Sequence, residues 1–220
     1  MVNPDLDAVF TMLSVFGTMA FAISGAAAAM RVGLDVVGVT VLAILTAVGG
    51  GSLRDVVIGN FPMWWVDDAW AFFLALGMGL ALVPLRRRFS AEYAPDSWRA
   101  VIVADAFGLA AFCVTGASLT LTLGNPAWLA VVMGVLTGVG GGVLRDVLAN
   151  THPLVFTGQV YATAALAGAA GFVALSELGW ANRFTYWLPV ALVVAIRLIA
   201  IKRQWAFPAL RLTTEPGPSS

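Results

Sequence analysis

The sequence predicts an all-α polytopic membrane protein: seven transmembrane helices, built as two inverted three-helix repeats plus one extra C-terminal helix. Three observations predict it. Of 220 residues, 60% are hydrophobic and only 11% charged, with a mean hydropathy of +0.90. A soluble globular chain carries about 25% charged residues and needs more polar surface than this to cover itself. Apolar runs of about 20 residues, long enough to cross a bilayer as helices, follow one another along the chain. The chain also matches itself after a shift of 91 residues.

The elements follow in order. The first span covers about 10–30. Its leading segment holds Asp5 and Asp7 and no basic residue, the wrong sign for the n-region of a signal peptide. The second covers about 34–59 and contains three consecutive glycines, the third covers 69–85, and the fourth 99–122. The fifth covers about 127–149 with a second glycine triplet, the sixth 155–175, and the seventh 184–201. The links are short and carry turn or interface residues: Arg31 to Asp35, Pro62 to Asp68, Gly124 to Pro126, and His152 with Pro153. One transmembrane domain is expected over 1–205, with repeat one at about 8–90, repeat two at about 99–178 and the seventh helix at about 184–202. The tail 206–220 ends in a Pro/Ser-rich stretch from Thr213 and reads as disordered.

Composition excludes several function classes. With 12 basic and 12 acidic residues there is no positive field for nucleic acid. Cys113 is the one cysteine and His152 the one histidine, which argues against disulfides and against a thiolate or histidine metal site. No cofactor is expected, and no nucleophile–base pair suggests an enzyme. Cys113 reads as a small apolar filler, and His152 as a loop residue before a proline.

Orientation follows from Lys and Arg in short loops. Arg31, Arg86, Arg87, Arg88, Arg99, Lys202, Arg203 and Arg211 fall on one side if the spans alternate. Asp5, Asp7, Asp67, Asp68 and Glu177, with Arg183, fall on the other. The N-terminus is therefore expected outside a cell (inner) membrane and the C-terminus in the cytoplasm. Trp64, Trp65, Trp70, Trp98, Trp128, Trp180 and Trp187 lie near span ends, as an interfacial belt does. Arg197, five residues before Lys202, is expected to snorkel to the cytoplasmic face.

The repeat is specific. Gly49-Gly50-Gly51-Ser52-Leu53-Arg54-Asp55-Val56 falls on Gly140-Gly141-Gly142-Val143-Leu144-Arg145-Asp146-Val147, and Pro62 on Pro153. From Phe16 to Pro62 there are 19 identities in 47 positions without a gap. Each copy holds three spans, and an odd number inserts the second copy upside down, the arrangement of inverted-repeat transport proteins.

Several residues are candidates for function. Each glycine costs about 1 kcal/mol against alanine inside a helix, so the two triplets read either as kinks exposing backbone carbonyls to a permeating ion or as close helix packing. Gly134, Gly138 and Gly142 form a small-residue row that suits packing. Arg54, Asp55, Arg145 and Asp146 are charges inside spans. Neighbours point about 100° apart on a helix, so one member of each pair is expected to seek a partner elsewhere. Reciprocal pairing across the pseudo-two-fold, Arg54 with Asp146 and Arg145 with Asp55, is one option if the glycines lie near the midplane. Local pairing is the other. Ser14, Gly17, Phe21 and Ser24 share one face of the first span; their copies are Asp105, Gly108, Phe112 and Thr115. Asp105 is an intramembrane acid, read as a pathway residue or as a packing-satisfied carboxyl. Thr46 and Thr137 either line a path or bond back to the preceding turn.

The duplicated GGGxLRD with its downstream proline, the three-plus-three-plus-one layout and the chain length resemble the trimeric intracellular cation (TRIC) channels, in their prokaryotic branch. The resemblance covers about 8–205. It implies a homotrimer in membrane lipid with a separate pore in each protomer, conducting mainly K+ with Na+ also passing, and helices two and five kinked at Gly49–Gly51 and Gly140–Gly142. The Lys-Glu-Val motif of animal members, linked to phosphoinositide binding, is missing here. Bacterial relatives are also linked to transport of small amino acids such as glycine, so a secondary transporter remains the alternative to a potassium channel.

Overall fold

Two glycines set the first turns. Gly33 takes φ +80° and Gly124 φ +78°, backbone that L side chains rarely adopt. The first closes the link between α1 (Pro4–Arg31) and α2 (Val36–Ile58), the second that between α5 (Trp98–Thr122) and α6 (Ala127–Leu148). The correspondence holds at 91 residues for both glycines, for the ends of α1 and α5, and for the starts of α2 and α6. α2 is capped by the Asp35 carboxylate, which accepts from Gly38 N. At the far ends, Gly59 and its copy Asn150 both turn left-handed, at φ 70° and 52°.

The computed structural model describes residues 4–66, 69–89, 98–156, 160–180 and 182–205. Asp67, Asp68, Arg211, the tail 206–220 and the side chains of Asp5 and Arg88 lie outside the described residues. The remaining helices are α3 (Trp70–Leu82), continued by a 3-10 turn at Val83–Leu85, the short α4 (Arg86–Phe89), α7 (Ala162–Glu177) and α8 (Arg183–Arg203). Asn182 and Thr185 form a capping box at the start of α8. Among the described residues five helices are long and apolar enough to span a bilayer; the third helix of each repeat is shorter, at Trp70–Leu85 and Ala162–Glu177. The sixth span was expected to begin near 155, but a 3-10 turn at Leu154–Phe156 precedes α7, which starts only at Ala162.

α1, α2, α5 and α6 form the centre, with α1 against α5 and α2 against α6. At these crossings residues meet their own copies: Phe16 with Phe107 at 5.8 Å between ring centroids, and Phe21 with Phe112 at 5.3 Å. Such self-pairing marks the pseudo-two-fold axis, and the three helices in each copy make the arrangement an inverted one. One apolar core lies among α1, α2, α3 and α5, and a second among α5, α6, α7, α8 and the start of α1. α8 has no repeat partner and packs on α7 and α5. Phe73, Val57, Trp128, Phe184 and Leu188 are exposed outward, which suits a surface whose solvent is lipid.

The triplets do not interrupt their helices, since α2 and α6 run unbroken through them. Their positions answer to packing. A Cβ on Gly50 would strike the carbonyl oxygen of Thr137, and one on Gly141 that of Thr46. Gly134 and Gly138 similarly face Cys113 and Leu109 of α5. Cys113 itself is buried, with its thiol donating to Ala110 O at 3.3 Å.

Candidate functional site

A cavity of about 460 Å³ opens between the repeats, on the side where α1 begins and α2 ends. Ser14 and Thr11 from α1, Gly51 and Arg54 from α2, Phe112 and Thr115 from α5, and Thr137 from α6 line it. Asn60, Phe61, Pro62, Trp64 and Trp70 line it as well. No carboxylate is among the lining residues. Of the sequence candidates, Ser14, Gly51, Arg54, Thr115 and Thr137 are therefore brought together here. Thr115 donates to Ala111 O at 3.1 Å and Thr137 to Met133 O at 2.6 Å. Both hydroxyls have bonded back, which leaves their oxygens as acceptors. Thr46 does the same, to Leu42 O at 2.6 Å, but is not part of this wall.

The charged pairs partner locally, not across the axis. Arg54 donates from Nε and Nη2 to Asp55 Oδ1 at 2.9 and 2.8 Å. The same carboxylate accepts from Asn60 Nδ2 at 3.1 Å and, through Oδ2, from Trp64 N at 2.8 Å. Reciprocal pairing fails because α2 and α6 cross at the glycines and run on in opposite directions. Each arginine stands four residues beyond its central glycine, about 6 Å along the helix, so the pairs diverge. Both arginines fold back onto their own neighbours; Arg54 has no second carboxylate, whereas Arg145 also finds the expected partner elsewhere, in Asp105.

Beyond the Phe21–Phe112 contact the second pair sits in a closed group. Arg145 Nε donates to Asp146 Oδ1 at 2.8 Å, and Asp146 Oδ2 accepts from Leu154 N at 3.0 Å. Arg145 Nη1 donates to Asp105 Oδ1 and to Ser24 Oγ, both at 2.6 Å. Tyr161 donates its hydroxyl to Asp105 Oδ1 at 3.2 Å. Arg145, Asp105, Tyr161 and Ser24 are at most 1% exposed. The shared face of α1 and α5 is thus divided: Ser14 and Thr115 stand at the open end, Ser24 and Asp105 at the closed one, with glycines and phenylalanines between.

Arg197 corrects a further expectation. It does not snorkel outward. It is fully buried, with its guanidinium 4.8 Å from the centroid of the Tyr161 ring and Nη1 donating to Val160 O at 3.1 Å. Val190, Val193 and Ala200 are buried on the same face of α8 and carry it inward. Tyr161, Arg197, Asn60, Trp64 and the Phe21–Phe112 contact are the site members that sequence reasoning missed. The repeat offset held a signal for one of them, since Tyr161 is the copy of the cavity-lining residue Trp70.

Known proteins match this architecture. A family model described as "Glycine transporter" matches residues 11–87 and again 102–177, once per repeat. A UPF0126 membrane protein of Vibrio cholerae is 36% identical over 205 residues, 92% of this chain and 83% of the relative. The UPF0126 membrane protein YvgT of Bacillus subtilis is 35% identical over 198 residues, 90% of this chain and 94% of the relative. Among solved structures, the TRIC trimeric intracellular cation channel orthologue from Rhodobacter sphaeroides superposes with a TM-score of 0.83 at 33% identity, covering 90% of this chain and 99% of that one. A prokaryotic TRIC channel in 0.5 M KCl gives a TM-score of 0.82 at 27% identity, covering 90% and 98%.

Proposed function

The chain belongs to the prokaryotic branch of the TRIC family, and we propose that it forms a passive cation channel, carrying K+ with Na+ also passing, along the seam between its repeats. The likeness to solved TRIC cation channels supports the cation reading. The observation that carries the pathway is the cavity itself, which runs inward from Phe10 and Asn60 to Phe112 and Thr137 near the pseudo-axis. Arg54 does not make it repulsive, because Asp55 neutralises the guanidinium at 2.8 Å. The back-bonded hydroxyls of Thr115 and Thr137 leave oxygen lone pairs for a cation. On this reading the Arg145–Asp105–Tyr161 group is the barrier and the structure is a closed state. A homotrimer of such protomers, in a cell (inner) membrane with the N-terminus outside, has the cavity facing outward and the barrier towards the cytoplasm. No enzymatic step is part of this function.

A secondary transporter of a small amino acid such as glycine is the second reading. One observation favours it: the seam is open at one end and shut at the other, as alternating access requires. Single-channel recording of the purified protein in planar bilayers under a KCl gradient separates the two. Discrete openings reversing near the K+ equilibrium potential support the channel. Silent bilayers, with saturable uptake of radiolabelled glycine into proteoliposomes, reverse the choice.

A further inference from the structure

The inverted repeat gives the chain two copies of one arginine site, and only one of them is filled. In the second copy, Arg145 pairs with Asp146 through Nε and with a second carboxylate, Asp105, through Nη1 at 2.6 Å. The 91-residue offset places Ser14 where Asp105 stands, Thr115 where Ser24 stands, and Arg54 where Arg145 stands. All three line the open cavity. Arg54 keeps its equivalent of the Asp146 contact, through Nε and Nη2 to Asp55. Its Nη1, the atom that in the copy holds the second carboxylate, donates to nothing among the described residues.

An aromatic donor also lies over the equivalent glycine in each repeat, although Trp64 is not the sequence copy of Tyr161. A Cβ on Gly142 would strike the Tyr161 hydroxyl, the group that donates to Asp105. A Cβ on the equivalent Gly51 would strike Nε1 of Trp64, whose indole N–H is buried in the cavity wall without a partner among the described residues. A carboxylate is thus missing from a site that keeps its arginine, its hydroxyls and its aromatic donor. The cavity volume of about 460 Å³ exceeds what one carboxylate side chain would fill, and lies in the range of about 300–1,000 Å³ typical of small-molecule sites.

We propose that the open cavity binds a small carboxylate anion between Arg54, Ser14 and Trp64, at the place where the second repeat holds its own Asp105. The chemistry is a charge-assisted hydrogen bond from the Arg54 guanidinium, supported by a hydroxyl and an indole N–H. A monocarboxylate such as acetate and the carboxylate end of an amino acid such as glycine satisfy it alike. The site holds under either reading of the pathway, conduction or transport.

The test is direct binding to the full-length protein in detergent, followed by tryptophan fluorescence and isothermal titration with sodium acetate. It requires no conductance, so its failure is separate from failure of the channel reading. Saturable acetate binding is expected in the wild type. Arg54→Gln should weaken it by about tenfold or more, the loss of one charge-assisted hydrogen bond. Ser14→Asp supplies the missing carboxylate from the chain and should abolish acetate binding, with a melting temperature no lower than the wild type. Glycine displacing acetate extends the site to amino acids; glycine without effect restricts it to simple monocarboxylates, and both agree with the proposal. Absence of saturable binding to the wild type, acetate binding that survives Ser14→Asp, or chloride binding as tightly as acetate would overturn it.

Discussion

Asp105→Asn isolates the charge of the closed end. The amide keeps the shape, and its oxygen can still accept from Arg145 Nη1 and from Tyr161, which now meet Oδ1 at 2.6 and 3.2 Å. The new NH2 replaces Oδ2, which already has no partner among the described residues. Only the charge is lost. A pair of unit charges about 4 Å apart at an effective dielectric of about 20 is worth about 4 kcal/mol, and removing one partner of a buried pair costs about 3–5 kcal/mol. Arg145 retains Asp146 at 2.8 Å, so the lower figure, about 3 kcal/mol, is the appropriate one. If that group is the barrier, the loss falls on the closed state and shifts the closed–open balance by about a hundredfold. Open probability in planar bilayers should rise accordingly, while the melting temperature in detergent falls by several degrees. Asp55→Asn is the control. It weakens the equivalent pair at the end that is already open, so it should lower the melting temperature while leaving open probability within about threefold. Equal effects of the two variants on open probability, or none from Asp105→Asn, would refute the barrier.

Three further outcomes test the fold beneath this site. Gly50→Ala and Gly141→Ala place a methyl against the Thr137 and Thr46 carbonyls; the overpacking cost of about 1–3 kcal/mol should exceed the helix-propensity gain of about 1 kcal/mol and lower the melting temperature. Gly77→Ala, which meets nothing within 4 Å, should raise it, and identical shifts would refute the packing role of the triplets. Gly59→Ala at φ +70° should cost about 1–2 kcal/mol in thermal denaturation; Asn150→Gly, at φ +52°, relieves the same strain and should cost none. For orientation, buried Cys113 leaves a silent background. A membrane-impermeant maleimide applied to intact cells should label Glu177→Cys, and should label Gln204→Cys only after permeabilisation; the reverse pattern inverts the topology.

Much of the fold was legible because the repeat fixes it at several independent places. The offset that aligns the glycine triplets also aligns Gly33 with Gly124 and the helix ends around them, so local turn chemistry and long-range duplication agree. The division of the α1 and α5 faces was half legible: spacing puts Ser14, Ser24, Asp105 and Thr115 on shared faces, but which ends come together depends on the crossing angle of the helices. Arg197 was misread for a different reason. Nearness to Lys202 suggested the interface, whereas the spacing of Val190, Val193, Arg197 and Ala200, i, i+3, i+7, i+10, puts all four on one face of α8. That stripe was the better guide. The direct pairing of each arginine with its own neighbour was missed because helix angles constrain where side chains start, not where a long guanidinium ends.

The asymmetry of the two ends has two sources, and they are separable. One is the residue pair Ser14 and Asp105, which leaves Arg54 short of a carboxylate and gives one to Arg145. The other is α8, which the repeat does not contain and which brings Arg197 to the closed end, where it stacks on Tyr161 at 4.8 Å. Duplication alone would give two equivalent ends, both sealed or both open. A pathway with two sealed ends needs two barriers to part together, and one with two open ends needs no gate. On the proposed reading, substituting at one position and adding one helix leaves a single barrier. The buried charges there balance within the group, Arg145 and Arg197 against Asp105 and Asp146, so the closed state tolerates them. Any event that separates Arg145 from Asp105 exposes unbalanced charge along the seam, which favours the entry of water. A barrier built from ion pairs in this way is stable while dry and unstable once wetted, which is the behaviour a gate requires.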